Sequence, residues 1–442
     1  MRAPAPASSG LLRRGAPLRN EVLHGCLAAA LLATLLSIRI GAPWTYIHDD
    51  NGAWTQAVAA AHLKAGLGRT RGQDFLLRRA DGALVAYLHH PPLYPLVTAA
   101  TYRVVGRSGP LVTRLVPATF HLLGFLGLAL LARALMPGSA ARRILALWLF
   151  ALVPMSSFFG KMPFNESLGS CFVTWGTALA ALWLRKLGDA APSTAPRPGG
   201  APSLTLLGSA ACWVLACLSS WPTYPVLAGV GAALVLEARR RPGQPVLRAA
   251  LLLGATGMAS GAMVLAQLAW AGGGDLGGFL RAGRVWGGAL VEPSELARQL
   301  GVVLDNHRRY FGNVPFALFV AWCVLRIRGW RRDRRLAWED RLLLFAGAGC
   351  ALWALAFAKQ VALHAYGQFW FLPFETLAAA DLAVRMWERL ADRPGPRAAL
   401  AAAALAVTVL SSAWVLAYRY THPHGYAIRT AAALARDYET PP

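Results

Sequence analysis

The chain has 442 residues, 56% of them hydrophobic and only 15% charged, with 44 basic residues against 21 acidic ones and a net charge of +23. Ordinary soluble domains are about 25% charged, whereas apolar runs near the roughly 20 residues needed to cross a bilayer recur here along the whole chain. That excludes a soluble enzyme. A transmembrane barrel is excluded as well, because its strands would show as alternating segments of about 10 residues. The predicted class is therefore an all-α polytopic membrane protein, since helices satisfy their own backbone groups in lipid.

The basic residues do not form a nucleic-acid patch. They recur as short clusters between apolar runs, the pattern that orients membrane helices, and no nucleic-acid partner is expected. The partner implied is the lipid bilayer. All six cysteines fall inside apolar runs, without disulfide or metal-ligand spacing.

Residues 1–21 are rich in Pro, Ala and Ser, with Arg13, Arg14 and Arg19, and read as a disordered cytoplasmic arm. A first helix over about 22–40 follows as an uncleaved span, which places Asp49 and Asp50 on the outer face. The first extracytoplasmic loop covers about 41–110 and contains juxtamembrane helices, among them Asn51–Ala65. The short apolar stretch Pro92–Val105 is expected to lie in the interface. If it does, the spans fall near 111–135, 143–160, 166–185, 204–220, 222–238, 247–270, 311–328, 341–358, 368–388 and 398–418. About eleven spans then put every dense arginine cluster on the inner side. Residues 22–418 form one transmembrane domain, and 419–442 an outer tail.

Residues 188–203, with Arg197, read as an inner linker. A second long outer loop, about 271–310, begins with a glycine-rich hinge. It continues into an amphipathic helix with Leu296, Leu300 and Leu304 at helical spacing.

On this topology the polar residues gather on the outer face. Asp49 and Asp50 follow the first helix, and His89-His90-Pro91-Pro92 closes the loop. Arg114 begins the next span, Lys161 and Asn165-Glu166 join two later ones, and Lys359, His364 and Tyr366 join two more. Taken singly, each has a plain structural reading: a helix cap for the aspartates, a rigid turn for His-His-Pro-Pro, an interfacial arginine at Arg114. Charged groups near a membrane cost about 2.5–3.5 kcal/mol on insertion scales, so their convergence points to one polar cavity. A carboxylate there can take a proton from a hydroxyl, and cations beside it can hold a phosphate.

The order of these motifs resembles the GT-C membrane glycosyltransferases, in the branch of protein O-mannosyltransferases and aminoarabinose transferases (glycosyltransferase family 39). Asp49-Asp50 stands where that branch usually has Asp-Glu. His90-Pro91-Pro92-Leu93 matches its His-Pro-Pro-Leu segment and Arg114-Leu115 its Arg-Leu, while Glu166 replaces a common Asp. The resemblance covers residues 20–190. It implies a sugar donor carried on a polyprenyl phosphate, transfer of a hexosyl or pentosyl group with inversion to a hydroxyl of a glycan, lipid or protein, and a site facing the periplasm or cell exterior of the plasma membrane.

Carried over, Asp49 is the expected general base, with Asp50 orienting the acceptor or sharing that role. The departures at Asp50 and Glu166, each one methylene different from the usual residue, leave the choice between them open, and adjacent carboxylates raise one another's pKa, which makes a better base near neutral pH. Glu166, Asn165 and His89 would position substrate hydroxyls, and Arg114, His90, His364 and Lys359 the donor phosphate. No cofactor is required, though a divalent metal at Asp49 and Glu166 is compatible with the set. The alternative is a secondary transporter using the same acids as an ion or proton path. That would place them near mid-bilayer on broken helices within an internal repeat, and here they lie at helix ends.

Overall fold

The computed structural model describes residues 10–78, 84–189, 203–274, 276–286 and 292–434. A long helix α1 (Gly10–Ser37) leads into α2 (Asp49–Ala65) and the short α3 (Leu67–Thr70). A two-stranded antiparallel hairpin, β1 (Phe75–Arg78) and β2 (Leu84–Ala86), follows, and then α4 (Leu93–Val105). The next helices are α5 (Pro110–Leu135), α6 (Ala140–Leu152), α7 (Pro154–Phe159), α8 (Asn165–Asp189), α9 (Leu204–Ser219), α10 (Thr223–Arg240) and α11 (Val246–Ala271). The chain continues through α12 (Gly277–Trp286), α13 (Pro293–Phe311), α14 (Asn313–Asp333), α15 (Trp338–Ala356) and α16 (Ala358–Leu363). It closes with a 3-10 turn over Ala365–Phe371, α17 (Leu372–Arg389), α18 (Pro394–Thr421) and α19 (Gly425–Leu434).

Helix occupies each apolar run expected to span. Among the described residues five helices are long and apolar enough to cross a membrane: α1 from Arg19, α5, α8, α11 and α18. The pair α13–α14 meets the same measure only jointly, bent by 116° at its break. The 13-residue α4 is about 20 Å long at 1.5 Å per residue, too short to span a bilayer. Three expectations change. The run at 143–160 is two helices, because Val153 is extended (ψ 137°) before Pro154, as the residue before a proline tends to be. The helix α1 begins at Gly10, within the stretch read as a disordered arm. The first loop contains the small hairpin, which alternation over so few residues did not reveal. Most of the 188–203 linker, including Arg197, lies outside the described residues.

Close helix crossings occur where side chains are small. A Cβ on Gly229 of α10 would collide with the Phe345 carbonyl of α15, and one on Gly349 with the Pro225 carbonyl. This tight pair carries Trp221–Pro225 and Trp353–Phe357 to the end of the bundle where α2 and α4 lie. The opposite end is ordered by three acids that gather arginines from distant helices. Glu21 pairs with Arg133 (3.2 Å) and Arg143 (2.7 Å). Glu237 pairs with Arg241 (2.5 Å) and Arg341. Asp381 of α17 receives Arg142 of α6 (3.0 Å), Arg326 of α14 (2.7 Å), Arg385 (2.9 Å) and the Trp322 indole (3.0 Å).

The helix α13 forms where expected, but its buried stripe differs. Gln299, Val303, His307 and Tyr310 face inward while Leu304 is exposed. The reason is polar: the His307 ring lies between the Gln368 amide oxygen and the Glu375 carboxylate, each at 2.6 Å. Hydrogen bonding outweighs the leucine pattern once the partners are buried together.

Removing a partner from a buried ion cluster leaves the others uncompensated. Asp381→Ala is expected to destabilise the bundle by roughly 3–5 kcal/mol, read as a lowered midpoint in denaturant titration of the detergent-solubilised protein. Exposed Asp333→Ala, paired only with Arg332 beside it, should shift that midpoint little.

Candidate active site

The segment between α1 and α2 is anchored by one buried ion pair. Asp49, at the start of α2, accepts the backbone N–H groups of Thr45 and Tyr46 on Oδ2 (2.8 Å each), and both its oxygens receive Arg114 Nη2 at 3.2 Å. Arg114 also donates to the carbonyls of Ile40 (3.2 Å), Ala42 and Pro43 (3.4 Å), and its guanidinium lies 4.1 Å from the centre of the Trp44 ring. Both side chains are almost fully buried. Arg39, Tyr46, Lys161 and Tyr420 complete this closed pocket. Lys161 donates to the Ile38 carbonyl, and burial together with Arg114 pushes its ammonium down to about 7, against the pull of Asp49.

Asp50 faces elsewhere. Successive residues of an α-helix are turned by about 100°, and here that turn sends Asp49 into the small pocket and Asp50 to the other side. His48 before them is left-handed (φ 65°), and its ring lies against Phe159, His364 and Tyr366. Asp50 lines a second, far larger cavity of about 750 Å³. Burial raises its carboxyl above the usual range, against backbone N–H groups at the helix start and His424, while the charge of Asp49 adds to the rise. The next glycine is obligatory, since a Cβ on Gly52 would enter the Trp44 ring.

The large cavity collects most of the remaining candidates. Asn165 and Glu166 reach it from the first turn of α8, His89 and His90 from the His-His-Pro-Pro turn, and His364 and Tyr366 from the segment before α17. Two consecutive prolines hold the residues before them extended and start α4 at Leu93. The His89 carbonyl accepts the Trp221 indole N–H (2.6 Å), and His90 lies against Trp54 and Tyr87. Tyr366 stacks on Phe164 at 4.6 Å and receives Asn51 Nδ2 at 3.4 Å. Burial and the neighbouring His89 and His364 push the His90 imidazole down to about 3, and burial lowers His364. These rings are neutral near pH 7 and each can donate one N–H.

Several expected roles therefore move. Arg114 is consumed by Asp49, three carbonyls and Trp44, so it does not face the cavity as a phosphate ligand. Asp49 is held by the same arginine and two amides and lines the small pocket, not the large cavity. Lys359 stands off the cavity lining. It contributes to the lowered carboxyl of Glu295, which is held down to about 2 chiefly by Arg298 and Gln299. A metal bridging Asp49 and Glu166 does not fit, because Asp49 lines the small pocket and Glu166 the large cavity. Among the described residues, no group of three or more His, Cys, Asp or Glu side chains is placed to hold a metal ion.

Aromatic lining residues Trp54, Tyr87, Trp221, Phe279 and Trp353, and Tyr426 from α19, were not legible as site residues. Only the Trp221-Pro222 turn at a span end carried a weak signal.

No protein-family model matches the sequence, and no curated protein does. Solved structures do match in fold. ArnT from Cupriavidus metallidurans bound to undecaprenyl phosphate superposes with a TM-score of 0.57 at 16% identity, over 94% of this chain and 69% of that one. The fold is that of the GT-C membrane glycosyltransferases. The archaeal oligosaccharyltransferase AglB from Archaeoglobus fulgidus, in complex with an inhibitory peptide and a dolichol-phosphate, gives 0.57 at 13% identity over 92% of this chain. The same oligosaccharyltransferase tethered to an acceptor peptide gives 0.57 at 12% identity over 90% of it. The chain spans about half the length of the oligosaccharyltransferase, 56% and 55% in the two structures. Within this GT-C fold, α2 and the His-Pro-Pro turn are the elements that bring the cavity's acid and imidazoles together.

The two aspartates should separate in experiment. Asp49→Ala is expected to lower the melting temperature and open the segment between α1 and α2 to limited proteolysis, because Arg114 is left buried without its carboxylate. Asp50→Asn should leave both unchanged.

Proposed function

We propose that the protein is a glycosyltransferase that moves a hexosyl or pentosyl group from a polyprenyl-phosphate donor to a hydroxyl acceptor at the outer face of the plasma membrane. The observation that carries the reading is Asp50: a half-buried carboxylate on the wall of an aromatic-lined cavity, in a GT-C fold, beside Glu166, Asn165 and three neutral imidazoles. That lining suits a sugar, whose hydroxyls take carboxylate and amide partners while its C–H faces lie on rings.

In this mechanism the Asp50 carboxylate accepts the proton of the acceptor hydroxyl as its oxygen attacks the anomeric carbon from the face opposite the phosphate. The bond from that carbon to the phosphate oxygen breaks, the polyprenyl phosphate leaves with the electron pair, and the anomeric configuration inverts. Glu166 and Asn165 hold sugar hydroxyls. N–H groups of His89, His90 and His364 meet the phosphate oxygens, and the arriving negative charge favours the protonated imidazoles. Among the described residues no Arg or Lys lines the cavity, so the imidazoles carry the role first expected of Arg114 and Lys359. Asp49 and Arg114 serve this chemistry by fixing where Asp50 stands.

Transfer from undecaprenyl phosphate carrying a radiolabelled hexose or pentose, in proteoliposomes supplied with membrane extract as acceptor, tests the reading. Asp50→Asn should lower transfer by about 10²–10⁴-fold with donor binding retained. Activity of the intact protein should fall as the pH drops through the raised pKa of Asp50, an acid limb above the ordinary carboxylate range, since only the ionised form accepts the proton. Full activity in Asp50→Asn would overturn the assignment.

A further inference from the structure

The chain does not leave the site at the end of α18. Past Thr421 it turns back, the His424 N–H donates to the Thr45 carbonyl at 2.7 Å, and α19 packs along α2 with Ala427 fully buried. That seat sets the helix azimuth. Tyr426, Thr430 and Leu434, spaced four apart on one helix face, all line the large cavity. Tyr426 and Ile428 remain exposed, at 58% and 42%, so α19 has the cavity on one side and the surroundings on the other.

Another part of the lining is apolar: Leu352, Trp353 and Ala356 come from α15 and Phe357 follows it, and Leu352 and Leu355 of that helix are more than half exposed. Such a surface suits contact with lipid, and a lipid-borne molecule would reach the cavity past it. Asp50 stands on α2, the helix that α19 covers.

We infer that α19 is the acceptor-side wall of the cavity, with Tyr426 and Thr430 contacting the acceptor beside Asp50. The inference rests on the glycosyl-transfer reading. The Tyr426 ring offers a flat face and a phenol, and the Thr430 hydroxyl a donor and an acceptor, directed at the molecule whose hydroxyl Asp50 deprotonates. The wall also limits access of water, the competing acceptor, to the donor sugar.

Two measurements on the full chain test it. The first needs no turnover. Asn51→Cys, in the cavity wall beside Asp50, is labelled in proteoliposomes with a membrane-impermeant maleimide, alone and combined with Ala427→Trp, which unseats α19 from α2. Labelling above the parent background should rise by about fivefold or more in the double variant. An unchanged rate in a double variant that keeps its melting temperature overturns the wall.

The second compares Tyr426→Ala and Thr430→Val with wild type, using undecaprenyl phosphate carrying a radiolabelled sugar. Transfer to membrane-extract acceptor should fall about tenfold through a raised KM for acceptor, with the KM for donor unchanged and hydrolysis of the donor by water maintained or increased. A raised donor KM with acceptor KM unchanged, or transfer unaffected in both variants, overturns the acceptor role. If wild type neither transfers nor hydrolyses any donor sugar, the glycosyl-transfer reading fails and the acceptor role falls with it. The labelling result then decides the wall on its own.

Discussion

The contact on which the site depends is the buried pair of Asp49 and Arg114. A lone ion taken out of water costs several kcal/mol, and a pair recovers that cost only when its remaining donors and acceptors are also satisfied. Here they are: Asp49 takes two amides beside the guanidinium, and Arg114 takes three carbonyls and the face of Trp44. The pair joins the end of α1, the start of α2 and the start of α5 into one rigid corner. Because Asp49 is held, the next residue of the helix is held too. Asp50 stands in the wall of the large cavity while Asp49 is turned into the small pocket beside it.

The same logic orders the opposite end of the molecule. Charge there is plentiful and positive, and a few acids decide which helices it joins. Asp381 draws arginines from α6, α14 and its own helix into one cluster, and Glu237 ties α10 to α15. The tight glycine crossings of α10 and α15 then carry aromatic residues to the cavity wall. Structure at one end is set by ion pairs, and the site at the other end inherits its geometry through close-packed helices.

The large cavity is bounded by elements of different kinds, the apolar α15 with its exposed Leu352 and Leu355 and the short α19, with Asp50, Glu166 and the imidazoles in the same lining.

Much of this was legible in the sequence. Long apolar runs and scarce charge dictate a helical membrane bundle, because helices satisfy their own backbone groups in lipid and the runs lack the short alternating segments of a barrel. The loop between the first two long spans stood out, because acids are rare in this chain and Asp49-Asp50 and His89-His90-Pro91-Pro92 bracket it. Which aspartate meets the cavity was not legible without helix phase, and two neighbours some 100° apart receive opposite fates. The engagement of Arg114, 65 residues from Asp49, the polar stripe of α13 set by Gln368 and Glu375, and the return of α19 over α2 are long-range contacts. Local pattern records a residue's own periodicity but not its distant partner. Tertiary packing alone decided that Asp49 pairs with Arg114 in a small pocket and that Asp50 faces the large cavity.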